Sequence, residues 1–266
     1  MASLLAALSF LTIFPSPKSA DLSQQVVSNS RAWFPLVGLL IGILMVGLEW
    51  SLGYLFPPYL TAALLVVLLV IVNRALHLDG LMDSCDGLFG GNTPERRREI
   101  MRDSSVGAFA VAGAGSVLLL KYGALLSLLS VSVPGKEAAL LVFPVVSRYA
   151  MVLQLMVYNY VRTPGLGSPF HGRDARIPSI VAAIIAALAV GILGGLGGIL
   201  ILAAICLFAL ALGQVAVRLI GGLTGDIYGA TNELSEVAAL LGAVALLPLG
   251  LLSPVTHQVS TYLGAF

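Results

Sequence analysis

The sequence predicts an all-α fold: a polytopic membrane helical bundle of about seven transmembrane helices, forming one integral membrane domain over residues 1–266. Three observations lead there. Charge is scarce, apolar runs of bilayer length recur, and basic residues gather on alternate connections. Charged residues make up 10% of the chain and hydrophobic residues 58%, with a mean hydropathy of +0.99. A soluble domain is about a quarter charged, so a bilayer is the natural solvent for this chain.

A helix crosses the hydrocarbon core with about 20 apolar residues. The runs that qualify are Phe34–Phe56, Tyr59–Leu78, Ser105–Val131, Glu137–Tyr158, Ser179–Leu193, Gly198–Leu219 and Val237–Leu252. The fifth is short, and Gly194, Gly195, Gly197 and Gly198 read as a turn that makes it a hairpin with the sixth. Met1–Ser16 has no basic n-region and only a short apolar run, so no cleaved signal peptide is expected. No internal repeat or low-complexity tail is evident.

Orientation follows from the basic residues. With a cytoplasmic N-terminus, the inner segments collect Lys18, Arg31, Arg74, Arg96, Arg97, Arg98, Arg102, Arg162, Arg173, Arg176 and Arg218, and the outer loops hold only Lys136. The C-terminal tail Ser253–Phe266 then lies outside. Three polar segments face inward: Asp79–Ser104, Tyr160–Pro178 and Ile220–Glu236, with most carboxylates in the first and third. The formal net charge of +1 and the lack of a long basic tract exclude a nucleic-acid partner. Cys85 lies among aspartates and Cys206 in an apolar run, a spacing that suits neither a disulfide framework nor a Cys/His metal site.

The first inner segment carries the chemistry. Asp79, Asp83 and Asp86 stand at i, i+4 and i+7, one face of a helix. Like charges so spaced repel, and an aspartate deep in a membrane helix costs about 2.5–3.5 kcal/mol. A magnesium ion offsets that cost, and it prefers carboxylates combined with substrate phosphates. The competing reading is that these aspartates cap helices and face water. Thr93 as N-cap and Pro94 at N1 then predict a helix through Arg96–Arg98 and Glu99, which brings Asp103 back to the cluster. Arg102 is a candidate phosphate contact; Arg96–Arg98 suit either phosphate oxygens or anionic lipid.

Other polar residues fall into two groups. Lys121 and Arg148 lie within spans, where a cation faces the bundle interior to meet an anionic substrate or snorkels to the interface. Asp226, Asn232, Glu233 and Glu236 belong to the third inner segment, where Gly225 and Gly229 allow close approach of backbone to a ligand; an ordinary capped loop is the alternative. His77 and His171 are candidate proton acceptors, His171 in a glycine-rich basic loop, Gly165–Arg176.

Together these residues resemble the cobalamin synthase (adenosylcobinamide-GDP ribazoletransferase) family. The similarity covers most of the chain. It is carried by Phe34-Pro-Leu-Val-Gly38, by His77-Leu-Asp79-Gly-Leu-Met-Asp83-Ser-Cys-Asp86-Gly87 and by Arg98-Glu-Ile-Met-Arg-Asp103-Ser-Ser-Val-Gly107. Lys121, Pro144-Val-Val-Ser-Arg148 and Thr224-Gly-Asp226-Ile-Tyr-Gly-Ala230 with Asn232 and Glu233 complete it.

The resemblance implies a bacterial inner-membrane, magnesium-dependent transferase. It would join α-ribazole or its 5′-phosphate to adenosylcobinamide-GDP and release GMP at a cytoplasmic site. Joined to the residue reading, it gives Asp79, Asp83, Asp86 and Asp103 as metal ligands and His77 or a cluster aspartate as base. Arg102, Lys121, Arg148, Asp226, Asn232 and Glu233 become substrate contacts, with a homo-oligomer left open. A membrane CDP-alcohol phosphotransferase or prenyltransferase is the nearest rival, and an ion or metabolite transporter the rival from another class.

Overall fold

Glycines and buried charges decide how the helices meet. The computed structural model describes residues 1–15, 23–131, 135–161, 167–170 and 176–253. Its helices, in chain order, are α1 (Ala2–Leu11), α2 (Gln24–Ser30), α3 (Phe34–Gly53), α4 (Pro58–Val72), α5 (Leu76–Gly90), α6 (Pro94–Ile100), α7 (Ala108–Leu129), α8 (Lys136–Val157), α9 (Arg176–Ile220) and α10 (Gly225–Leu246). Among the described residues no strand forms; Tyr160 and Leu223 make an isolated bridge.

The all-α membrane architecture holds, and helix length and composition alone do not fix the number of crossings at seven. Among the described residues five helical segments are long and apolar enough to cross: Gln24–Gly53, Ala108–Leu129, Lys136–Val157, Arg176–Ile220 and Gly225–Leu249. The pair α4 and α5, bent by 87°, makes a sixth if it is one broken span. The two expected spans Ser179–Leu193 and Gly198–Leu219 both lie within α9, as two helical stretches that meet at a break among the glycines. At 45 residues α9 is broken at Gly195, whose φ of 57° is left-handed. A straight helix of that size would run roughly twice the thickness of a bilayer core. At the break the chain folds sharply: a Cβ on Gly198 would lie 2.7 Å from the Val190 carbonyl oxygen.

The expected span Tyr59–Leu78 is interrupted at Asn73–Ala75. Arg74 and Ala75 both sit at φ 54°, a conformation that costs a non-glycine residue roughly 1 kcal/mol. The break is fastened by Ala75 N–H donating to the Val70 carbonyl at 2.8 Å and Leu76 N–H to the Asn73 carbonyl at 3.0 Å. It turns α5 across the bundle instead of onward along α4.

The third inner segment is also not a loop throughout. Thr224 caps α10, its Oγ1 accepting from Ile227 N–H at 3.4 Å, so the helix starts at Gly225 and not near Val237. Helix α8 forms the centre, buried along most of its length. Helix α3 reaches it through Gly38 and Gly42, the close approach that small residues permit in membranes. A Cβ on Gly42 would lie 2.9 Å from the Leu140 carbonyl, and one on Gly38 would collide with the carbonyl of Pro144.

Candidate active site

Helices α5 and α10 touch backbone to backbone. A Cβ on Gly80 would stand 2.9 Å from the Asp226 carbonyl, and one on Gly229 3.0 Å from that of His77. Gly229 is thus required for packing against α5. Beside this contact opens a cavity of about 740 Å³. His77, Asp79, Gly80 and Asp83 of α5 line one wall together with Gly225, Asp226, Tyr228 and Gly229 of α10. Phe10, Val27, Phe34, Met151, Tyr160 and Phe170 complete the apolar side. The phenylalanines pack together: Phe10 lies 4.9 Å from Phe170 and Phe34 5.5 Å from Phe170, centroid to centroid.

The candidate residues divide sharply. Asp79 is exposed, Asp83 and Asp226 are half-buried, and all three face the cavity. His77 is buried at 3% exposure, and neither ring nitrogen has a hydrogen-bond partner among the described residues. A buried imidazole without partners is costly unless a ligand or water meets it.

Asp86 and Asp103 leave the expected cluster. Asp86 Oδ2 accepts from Gly107 N–H at 2.6 Å and its Oδ1 from Ala110 N–H at 2.9 Å, so its carboxylate caps the N-terminus of α7. Asp103 is exposed, takes the Ser105 N–H at 2.9 Å, and does not line the cavity. That backbone donor holds its carboxyl below the ordinary aspartate range. Arg102, also exposed, lies off the cavity too.

The helix predicted from Thr93 is present, with Thr93 Oγ1 accepting from Arg96 N–H at 3.2 Å. Its arginines are spoken for. Arg97 Nη1 donates to the Leu219 carbonyl at 3.3 Å and Arg98 Nη1 to that of Ile220 at 2.7 Å, bracing the C-terminal end of α9.

Lys121, Arg148, Asn232 and Glu233 do not reach the cavity. They are joined to Glu236 in a buried network. Lys121 Nζ donates to Glu233 Oε2 at 2.7 Å and to Glu236, and Arg148 donates to Glu236 and, at 2.9 Å, to Asn73 Oδ1. Asn232 Nδ2 reaches Glu236 Oε1 at 3.2 Å. Two cations balance two carboxylates, which is why four charged side chains lie inside the bundle, and Arg148 ties the network to the break at Asn73. Each is engaged within this network, away from the cavity wall where a substrate contact is expected of it. His171 and most of the Gly165–Arg176 loop lie outside the described residues.

The sequence reading missed the aromatic wall, Arg31 and the capping role of Asp86. The spacing Val27, Arg31, Phe34 at i, i+4 and i+7 was a signal for the second. Magnesium can be tested against the donors present. Among the described residues no three His, Cys, Asp or Glu side chains converge tightly enough to hold a metal alone. Magnesium takes one or two carboxylates plus substrate phosphates, so the wall of Asp79, Asp83 and Asp226 fits it in company with a phosphorylated ligand.

Fold and cavity define a polytopic helical membrane protein with an internal cavity, acidic on one wall and aromatic on the other. The chain belongs to the cobalamin-5-phosphate synthase family, whose profile matches residues 3–244. It is 40% identical over 253 residues to the adenosylcobinamide-GDP ribazoletransferase of Desulfitobacterium hafniense (strain Y51), covering 93% of this chain and 98% of that one. The enzyme of the same name from Geotalea daltonii (strain DSM 22248 / JCM 15807 / FRC-32) is 39% identical over 240 residues, 90% of this chain and 96% of its own. That of Pseudomonas paraeruginosa (strain DSM 24068 / PA7) is 41% identical over 248 residues, 92% and 98%. No solved structure matches the chain. The chain is an enzyme of this kind, a transferase of cobalamin biosynthesis.

Proposed function

We propose that this chain joins α-ribazole, or its 5′-phosphate, to adenosylcobinamide-GDP and releases GMP, in the cavity between α5 and α10. The observation that carries the reading is the placement of His77, Asp79, Asp83 and Asp226 on one wall of a chamber in a chain of this family. A ribose hydroxyl of α-ribazole attacks the cobinamide-linked phosphorus; a new P–O bond forms as the bond to GMP breaks. His77, whose ring nitrogens are unpartnered among the described residues, accepts the hydroxyl proton. Asp79, Asp83 and Asp226 are the residues that would hold magnesium with the substrate's phosphate oxygens, and when bound it supplies the positive charge that phosphoryl transfer demands. The aromatic side receives a planar base and excludes water from it. The site faces the cytoplasm of a bacterial inner membrane, a reading that rests on the basic residues of Arg96–Arg102 and their neighbours.

Incubating the purified chain with adenosylcobinamide-GDP, α-ribazole and Mg²⁺ should release GMP in step with cobalamin. Chelation by EDTA should stop release and added Mg²⁺ restore it. Absence of GMP under all conditions rejects the reaction, whereas full turnover in EDTA rejects only the metal.

A further inference from the structure

Val27, Arg31 and Phe34 stand one helical turn apart along the segment Gln24–Gly53. Val27 and Phe34 line the cavity, and Arg31 between them is completely buried. Its guanidinium is held in place from one side, with Nε donating to the Ser28 carbonyl at 3.0 Å and Nη2 to Ser28 Oγ at 3.3 Å. Nη1 has no partner. Among the described residues no carboxylate pairs with Arg31, whereas the buried cations Lys121 and Arg148 are both matched by glutamates. Arg31 also interacts electrostatically with Tyr228, which lines the cavity. A buried cation lacking a counter-ion is strongly unfavourable, so this guanidinium is set for an anion that arrives with a ligand.

The acidic wall repels an anion unless a metal intervenes, and Arg31 belongs to the helix whose residues form the other wall. Next to it Phe34 and Phe170 present the aromatic surface a nucleobase packs against. We propose that Arg31 binds the phosphate monoester of the incoming nucleotide, Nη1 donating to a phosphate oxygen, and is thereby the residue that distinguishes the 5′-phosphorylated nucleoside from the free one as acceptor. Reaching it calls for a rearrangement of the Val27 and Phe34 side chains, a common accompaniment of binding. The assignment rests on the transfer reaction proposed above for the choice of nucleotide, but the anion site itself does not require a metal.

The decisive quantity is the ratio of kcat/KM for α-ribazole 5′-phosphate to that for α-ribazole. Loss of a charge-assisted hydrogen bond should lower this ratio about tenfold or more in Arg31→Gln, and less in Arg31→Lys. An unchanged ratio in both variants overturns the proposal, even if both rates fall together. Should the wild-type chain turn over neither acceptor, the functional reading fails and the anion site is decided by binding. In EDTA, inorganic phosphate should raise the melting temperature of the wild type but not of Arg31→Gln, or of Arg31→Lys by less if the Gln variant does not fold. Equal stabilisation of wild type and variants, or none in the wild type, overturns it.

Discussion

At the scale of single residues, three aspartates with similar sequence credentials have different work. Asp79 and Asp83 face the chamber, while both oxygens of Asp86 are taken by the N–H groups that open α7. Asp79→Asn or Asp83→Asn should cut turnover by about 10²-fold or more with an unchanged melting temperature, because each removes charge and little packing. Asp86→Ala should do the reverse, lowering stability by about 1–2 kcal/mol through the lost cap while retaining measurable turnover at low temperature. Thermal unfolding and GMP release, measured side by side, check both. If Asp86→Ala unfolded like wild type but was inactive, Asp86 would belong with the ligands after all.

At the scale of elements, the site depends on how closely α5 and α10 approach and on what holds α5 across the bundle. Gly80→Ala places a methyl against the backbone of Asp226 and Gly229, with no flexible side chain to yield. It should separate Asp79 and Asp83 from Asp226 and abolish GMP release, although no functional group is lost. Equal activity in that variant would overturn the requirement for this close approach. Glu236 faces both Lys121 and Arg148. Glu236→Gln leaves the buried cations outnumbering the anions and should destabilise the protein by about 3–5 kcal/mol in thermal unfolding. A variant with normal stability but a raised KM would give Glu236 a role toward the substrate instead. The helix register of Asp79, Asp83 and Asp86 and the Thr93 cap were legible from the residues, as was the glycine break in α9. The bend at Arg74 and Ala75 was not, since neither residue advertises a positive φ; the Arg148–Asn73 bond that braces it spans distant segments.

At the scale of the whole molecule, the bundle is a membrane frame that carries a chamber near the ends of α5 and α10. The basic residues predict that this end faces the cytoplasm. Single cysteines at Ser104 and at Lys136, in a chain whose Cys85 and Cys206 are replaced, should be labelled by an impermeant maleimide on opposite sides of sealed cells. Ser104 should react only after permeabilisation, and the converse pattern would invert the topology and the site with it. Local composition suffices for the membrane, the helices and the acidic identity of the site, because apolar length, helical spacing and charge scarcity are properties of neighbouring residues. Which carboxylates share a wall, which pair with Lys121 and Arg148, and that Arg31 meets no carboxylate among the described residues depend on contacts between residues far apart in the chain. A helix offers several faces to its surroundings, and only the packing of α5 against α7 and α10 selects the one that sees the chamber.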